Sequence, residues 1–312
     1  MLIGYIAGRL GVFGVANVGV LTQVTFILFM PPLLFRAMAT VDVGSLSLAS
    51  LYTYYSVALT VLIATVVTQT LAGKRPQVAM IRSLGAVFSN MAIIGTPIIQ
   101  LAFGSDGLAI LLPIIAFHAL ILLTISTLVI ESAQASDRLK QLGSNVSVDG
   151  THRGPDYGAI VFQALKSAII HPVVLPILLG LLWGATHLKL PIVIDRTFAL
   201  LGQAGVPASL VLLGATLASY GLRGNVLLAL LMTIGKLLVL PALMYIVGRT
   251  VFDLAPLPLA VVTVAAALPT GANVYLLAQR YDTQVASVSA TCALSTLGAV
   301  LTLSLLIPFF AK

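Results

Sequence analysis

Two apolar runs constrain this chain more than any other feature. Leu48 to Ala72 carries no charge at all, and Val226 to Val247 carries only Lys236. A bilayer core about 30 Å thick is crossed by roughly 20 apolar residues wound as a helix. Composition agrees, because only 8% of the 312 residues are charged and 59% are hydrophobic, against about 25% charged in soluble domains. So little charge does not cover a water-facing surface. A transmembrane barrel needs segments of about 10 residues alternating in polarity, and the apolar runs do not alternate. The expected class is an all-α polytopic membrane protein. Met1 to Leu10 has no basic residue ahead of its apolar part, so it reads as a short first helix and not as a removable signal peptide.

Ten spans are expected, at about 1–13, 18–39, 48–72, 77–103, 107–130, 165–187, 192–219, 225–248, 256–280 and 283–310. The intervening polar stretch, residues 131–163 with SDRLKQLGSNVSVDGTHRGPD, is a mixed-charge linker too short to fold alone. Basic residues in alternate loops set the orientation. Arg9, Lys74, Arg75, Arg82, Arg138, Lys140, Arg153, Lys166, Arg223 and Arg280 fall on one side, and Arg36, Lys189, Arg196, Arg249 and Lys312 on the other. The linker is therefore expected in the cytoplasm and both termini outside. The net charge of +7 is spread over membrane-edge loops and forms no stripe, which argues against nucleic acid as a partner.

The linker divides the chain into five-helix sets, residues 1–130 and 164–312, that echo each other. LIGYIAG pairs with LLGLLWG so that Gly4 meets Gly180 and Gly8 meets Gly184 at an offset of 176, and the same offset relates Asp106 to Asp282. An odd number of spans per half inverts the second half. Inverted repeats are a recurrent plan of secondary transporters, with the site at the midplane between the halves.

Two spans are interrupted by helix breakers. The fourth contains Asn90, Gly95, Thr96 and Pro97, and the ninth contains LPTGAN, with Pro269, Thr270, Gly271 and Asn273. Unwound backbone at membrane depth is tolerated only where it is buried in protein or lines a wet cavity. Each break creates a half-helix N-terminus whose free N–H groups and positive dipole end attract an anion. Proline suits the first turn of such a half-helix, and the Asn and Thr side chains add hydrogen bonds. The competing reading is a pair of harmless kinks, since Gly and Pro are frequent in membrane helices.

All nine acidic residues fall at span ends or in loops, so no deep carboxylate is available to bind sodium or relay protons. Lys236 lies near the middle of the eighth span. It either serves the site or its pathway or snorkels to an interface on its long stem. Arg82 either anchors the fourth span or draws anions into a vestibule. His118, within the fifth span, is the only histidine at a depth suited to proton coupling, and reads in preference as a packed neutral histidine. Tyr52, Tyr54, Tyr55 and Trp183 read as interfacial anchors. One cysteine, Cys292, gives no disulfide and no metal set, and no cofactor motif is present. There is no HExxH, no GxSxG and no carboxylate pair in a span, so intramembrane hydrolysis has no machinery to work with. A passive anion channel lined by the same broken helices remains the non-carrier alternative.

The segments FSNMAIIGTPIIQLAFGSDG and AALPTGANVYLLAQRYD resemble the two signature segments of the auxin efflux carrier family, and MPPLLF and HPVVLPILLGLLWG extend the resemblance along the chain. That family includes plant auxin exporters and bacterial proteins described as malonate or malate carriers. The resemblance implies ten helices in two inverted repeats, with helices four and nine crossing at their breaks. It implies that helices three to five and eight to ten move against a scaffold of helices one, two, six and seven, as a homodimer in the plasma membrane. Two departures are His171 before Pro172, where the family often has Asn, and the short first helix. The expected substrate is a small organic anion, bound by Asn90, Gly95, Thr96, Pro97, Pro269, Thr270, Gly271, Asn273 and Lys236. A sodium-coupled transporter of the related bile-acid symporter fold is the alternative within the class.

Overall fold

The computed structural model describes residues 2–12, 20–21, 23–40, 48–143, 162, 170, 174–219 and 225–310. His171, Pro172, most of the polar stretch after Gly143 and the start of the sixth expected span lie outside them. The described residues are helical with no strand, as the composition requires. Along the chain run α1 (Leu2–Arg9), α2 (Met30–Ala39, entered through a π turn at Thr25–Phe29), α3 (Leu48–Leu71) and α4 (Pro76–Val87). A second π turn, Met91–Gly95, leads into Thr96–Gly143. Gly104 divides that run, with φ 66° and ψ −157°, a conformation only glycine adopts without strain. Residues 96–103 are α5, and residues 105–143 are α6. Then follow α7 (Val174–Ala185), α8 (Ile192–Ser219), α9 (Val226–Thr250, with a π turn at Gly235–Val239), α10 (Pro256–Ala267), α11 (Ala272–Arg280) and α12 (Val285–Phe310).

Leu48–Leu71, Met91–Gln134, Val226–Thr250 and Val285–Phe310 are each long and apolar enough to cross a membrane. The protein is an all-α polytopic membrane protein. The polar stretch expected to begin at Glu131 opens as a continuation of α6 through Gly143. Its first turns carry the same apolar and polar mixture as a membrane-edge helix, and nothing breaks it before Gly143.

The helices pack as two groups. One is α1 on α8 with α2 on α7 and α8, and the other joins α3 to α6 with α9 to α12. The groups meet chiefly where the Thr96–Gly143 run and the Met91–Gly95 turn touch α2, α7 and α8. In the first group glycine sets the approach. A Cβ on Gly4 would lie 2.0 Å from the Val211 carbonyl oxygen, and one on Gly180 would lie 2.5 Å from that of Phe35. The offset of 176 that relates Gly4 to Gly180 also relates Phe35 to Val211, so the two contacts are the same contact made twice. Arg36, in the last turn of α2, donates at 2.6 Å to Asp195 in the first turn of α8. Each charge also complements its helix dipole. Both are partly exposed, so solvent screens the pair and it serves mainly to set register.

The second group has the dense core. In α10 every residue from Leu259 to Ala267 is buried, as expected for a helix that is apolar all round.

Candidate functional site

The two interruptions come together. Helix α4 stops at Val87 as Phe88 turns extended, with ψ 114°. Helix α10 stops at Ala267 because Leu268 precedes Pro269, which disfavours helical ψ for its predecessor, and Leu268 has ψ 151°. The freed segments cross antiparallel, with Ser89 opposite Thr270. The Asn90 N–H donates to Pro269 O at 2.9 Å, and the Gly271 N–H donates to Phe88 O at 3.0 Å. Each break thus satisfies the backbone of the other, which is how unwound chain survives in an apolar medium. The approach requires glycine at 271, where a Cβ would stand 2.7 Å from the Phe88 ring and 3.3 Å from Ser89 O.

A surrounding layer takes the N–H groups of the two residues that face each other. The Ser89 N–H donates to His118 Nε2 on α6 at 3.0 Å, and the Thr270 N–H donates to Ser295 Oγ on α12 at 3.1 Å. The ring of His118 therefore accepts through Nε2, which makes it neutral with its proton on Nδ1. It packs on Phe88 with ring centroids 4.3 Å apart and meets the Tyr54 ring edge-on. The Tyr54 hydroxyl pairs with Ser89 Oγ at 3.2 Å. The Thr270 hydroxyl crosses to the other half and donates to Gly85 O at 2.7 Å.

The nine expected residues fall into different roles. Gly95, Thr96, Pro97, Pro269, Thr270 and Gly271 are all buried. A Cβ on Gly95 would meet Leu268 Cδ1 at 2.6 Å, so Gly95 is spacing between the halves. The Thr96 hydroxyl turns back onto Met91 O at 3.3 Å. Lys236 is fully buried, and its Nζ donates to the carbonyl of Ala266, one residue before the end of α10. It does not snorkel. Asn90 and Asn273 differ from the rest. Both are half-buried, and among the described residues neither side-chain amide has a hydrogen-bond partner. Beside them the backbone N–H groups of Ala92 and Ile93, at the start of the first half-helix, find no acceptor among the described residues, and those of Ala272 and Asn273 at the second find none either. Two carboxamides and four N–H groups at paired positive helix ends form an arrangement suited to an anion.

An apolar cavity of about 400 Å³ opens beside the crossing between Ile94 and Ile98 on one side and Thr296, Val300 and Leu303 of α12 on the other. It touches the crossing at Pro269, and neither asparagine lines it. Among the described residues no group of His, Cys, Asp and Glu is placed to hold a metal.

Residues 1–307 match the model of a family described as membrane transport protein. The chain belongs to this membrane transporter family. Auxin efflux carrier component 8 of Arabidopsis thaliana is 25% identical over 227 residues, covering 63% of this chain and 61% of the relative. The match thus spans less than two thirds of that relative's length. The auxin efflux carrier resemblance of the two signature segments is borne out by these findings. The family is one of transporters and not of enzymes.

The sequence had pointed to both asparagines and both breaks. It had not pointed to Ser89 or Ser295, which are ordinary polar residues in apolar helices, and it had read Tyr54 and Tyr55 as interfacial anchors, whereas Tyr54 is fully buried with its hydroxyl on Ser89 and Tyr55 donates to Ile114 O. One signal was present, since His118 and Ser295 are separated by 177 residues, nearly the repeat offset, and they do the same work in their two halves.

Proposed function

We propose that this membrane transporter is a secondary carrier of small organic anions, holding the substrate carboxylate at the crossing between Asn90 and Asn273. The observation that carries the reading is the pair of half-buried carboxamides, set beside four backbone N–H groups, that have no partner among the described residues. Free N–H donors at a positive helix end favour a carboxylate over a cation, and the carboxamides can turn their NH2 groups to the same ligand. The absence of acidic residues from the apolar spans supports the same sign of substrate.

The two packing groups support an elevator-type cycle in which α3 to α6 and α9 to α12 carry the crossing past α1, α2, α7 and α8. The scaffold contacts are glycine-tight, whereas among the described residues the boundary lies chiefly along the Thr96–Gly143 run and one π turn, so sliding there disrupts few packed surfaces. In this reading the protein is a homodimer in the plasma membrane with both termini outside.

The test is a thermal-shift screen of the purified protein against malonate, malate, other short carboxylates and indole-3-acetate. At least one carboxylate is expected to raise Tm in the wild type and to lose that effect in Asn90→Ala and Asn273→Ala. No response to any carboxylate, or an equal response in both variants, would overturn the reading.

A further inference from the structure

We propose that the apolar cavity beside the crossing is a lipid site, holding one acyl chain of a membrane phospholipid with its tip against the first break. The site goes beyond the carrier reading and does not depend on it. The cavity runs along α12 from Thr296, near the middle of that span, to Pro308, two residues before its end. The twelve residue steps between them rise about 18 Å, against about 15 Å for one leaflet of a bilayer core. Its inner end meets Ile94 and Pro269 at the crossing. Spread over that length, about 400 Å³ is a mean cross-section of roughly 22 Å². That is the bore of a single extended hydrocarbon chain, too narrow for a headgroup.

The walls select the occupant. Two lining side chains carry hydroxyls, and both are spent on their own helix, Thr296 donating to Cys292 O at 2.6 Å and Ser304 to Val300 O at 2.6 Å. The other eight lining residues are apolar. With neither a charge nor a free side-chain donor on the walls, an anion or an ordered water finds no side-chain partner there. The cavity is also continuous with the lipid-facing surface. Leu297, Leu301 and Leu305 form an exposed stripe at four-residue spacing on α12, and Val300 is half exposed while lining the cavity. In a bilayer a groove open on that side fills with hydrocarbon, because leaving it empty forfeits dispersion contacts on every wall.

The groove related to it by the internal repeat is finished differently. It lies between α11 and α6, where Glu131, 176 positions before Ile307, accepts from the Tyr281 hydroxyl at 2.8 Å. Val274 and Ala278 of α11 are fully buried there, whereas Ile98 of α5 is only half-buried. One groove is closed by protein, and the other keeps walls that suit a lipid. A chain lodged in it packs on Ile94 of the π turn and on Pro269 together, so it supports both breaks from a side that neither asparagine lines.

Melting and native mass spectrometry of the full-length protein in detergent test this, with palmitoyl-oleoyl or dihexanoyl phosphatidylglycerol added. The two lipids share a headgroup, and only the first has chains long enough to span the cavity. It should raise wild-type Tm by about 2–4 °C at roughly ten times its dissociation constant and remain bound as a lipid adduct in the mass spectrum. The short-chain lipid should do neither. Ala299→Leu, which fills the cavity from its buried wall, should give the short-chain result with both lipids. If Ala299→Leu is not recovered folded, Val300→Phe makes the same comparison. Equal responses of the wild type to the two lipids, no response to either, or a wild-type response in the filled variant overturns the proposal. So does a carboxylate whose stabilisation of the wild type is lost in the filled variant, which would make the cavity part of the anion site. Neither measurement needs a transported anion, so a protein without carrier activity sinks the carrier reading and still leaves the lipid comparison readable.

Discussion

Replacing Thr270 by valine removes one hydrogen bond and almost no volume. The Thr270 hydroxyl is buried and donates to Gly85 O at 2.7 Å, joining the second break to the last turn of α4. Valine keeps the branched shape, so the Thr270 N–H can stay on Ser295 and the bridge to Ser89 is not sterically disturbed. What changes is that Gly85 O loses the side-chain donor at its buried position. The cost of leaving such a group unsatisfied is about 1–3 kcal/mol. In a chain of this size that corresponds to a fall in Tm of roughly 2–6 °C. Serine retains the donor and should recover most of the loss. Because the bond ties the two halves together at the proposed substrate position, Thr270→Val should also raise the half-saturating anion concentration, and Thr270→Ser should not. Differential scanning fluorimetry and proteoliposome uptake read the two effects. Wild-type melting and wild-type uptake in Thr270→Val would refute the view that this hydroxyl holds the crossing.

Other variants separate substrate contact from scaffolding. Asn90→Ala and Asn273→Ala should leave Tm within about 1 °C of wild type, because neither amide bonds the protein among the described residues. Anion affinity, measured by isothermal titration, should fall about tenfold in each, matching roughly 1.4 kcal/mol for a lost hydrogen bond to a charged group. Gly180→Ala places a Cβ 2.5 Å from Phe35 O, which backbone cannot yield, and should cost about 1–3 kcal/mol of stability on thermal melting. At the membrane edge the Tyr281 hydroxyl, beyond the end of α11, donates to Glu131 at 2.8 Å. Burial first, and then that hydrogen bond, push its pKa up to about 12. A folded pKa raised above that of the unfolded chain means that the stabilisation is intact below about pH 10 and is lost as pH climbs towards 12. Melting followed across that window should fall more steeply in the wild type than in Tyr281→Phe.

The fold and the breaks were legible in the sequence for a simple reason. Apolar runs, helix breakers and a repeat offset are one-dimensional signals, and lipid leaves few other structures that satisfy them. Asn90 and Asn273 stood out because carboxamides are costly in hydrocarbon without a task. Lys236 was harder. An intramembrane lysine announces that something is needed there, but its side chain can reach in several directions, and only the position of the Ala266 carbonyl chooses among them. The partners of the breaks were less legible still. Ser89 and Ser295 resemble the many serines and threonines of membrane helices that bond their own backbone, as Ser126 and Thr291 do here, and Tyr54 resembles the tyrosines that anchor helices at the interface. His118 gave a correct reading of its neutral, packed character, but its task of receiving the Ser89 N–H depends on a break whose path is set by the opposite half. Long-range pairing across an inverted repeat is a property of two segments together, and neither segment carries it alone.

The most direct test of the carrier account is counterflow. Proteoliposomes loaded with an excess of one unlabelled carboxylate are diluted into a trace of the same compound labelled, and the label inside is followed over time. An alternating-access carrier with its anion site at the crossing predicts transient accumulation above equilibrium, lost in the Asn90→Ala, Asn273→Ala double variant. Label that only equilibrates, at a rate indifferent to the internal anion and unchanged in the double variant, would contradict it.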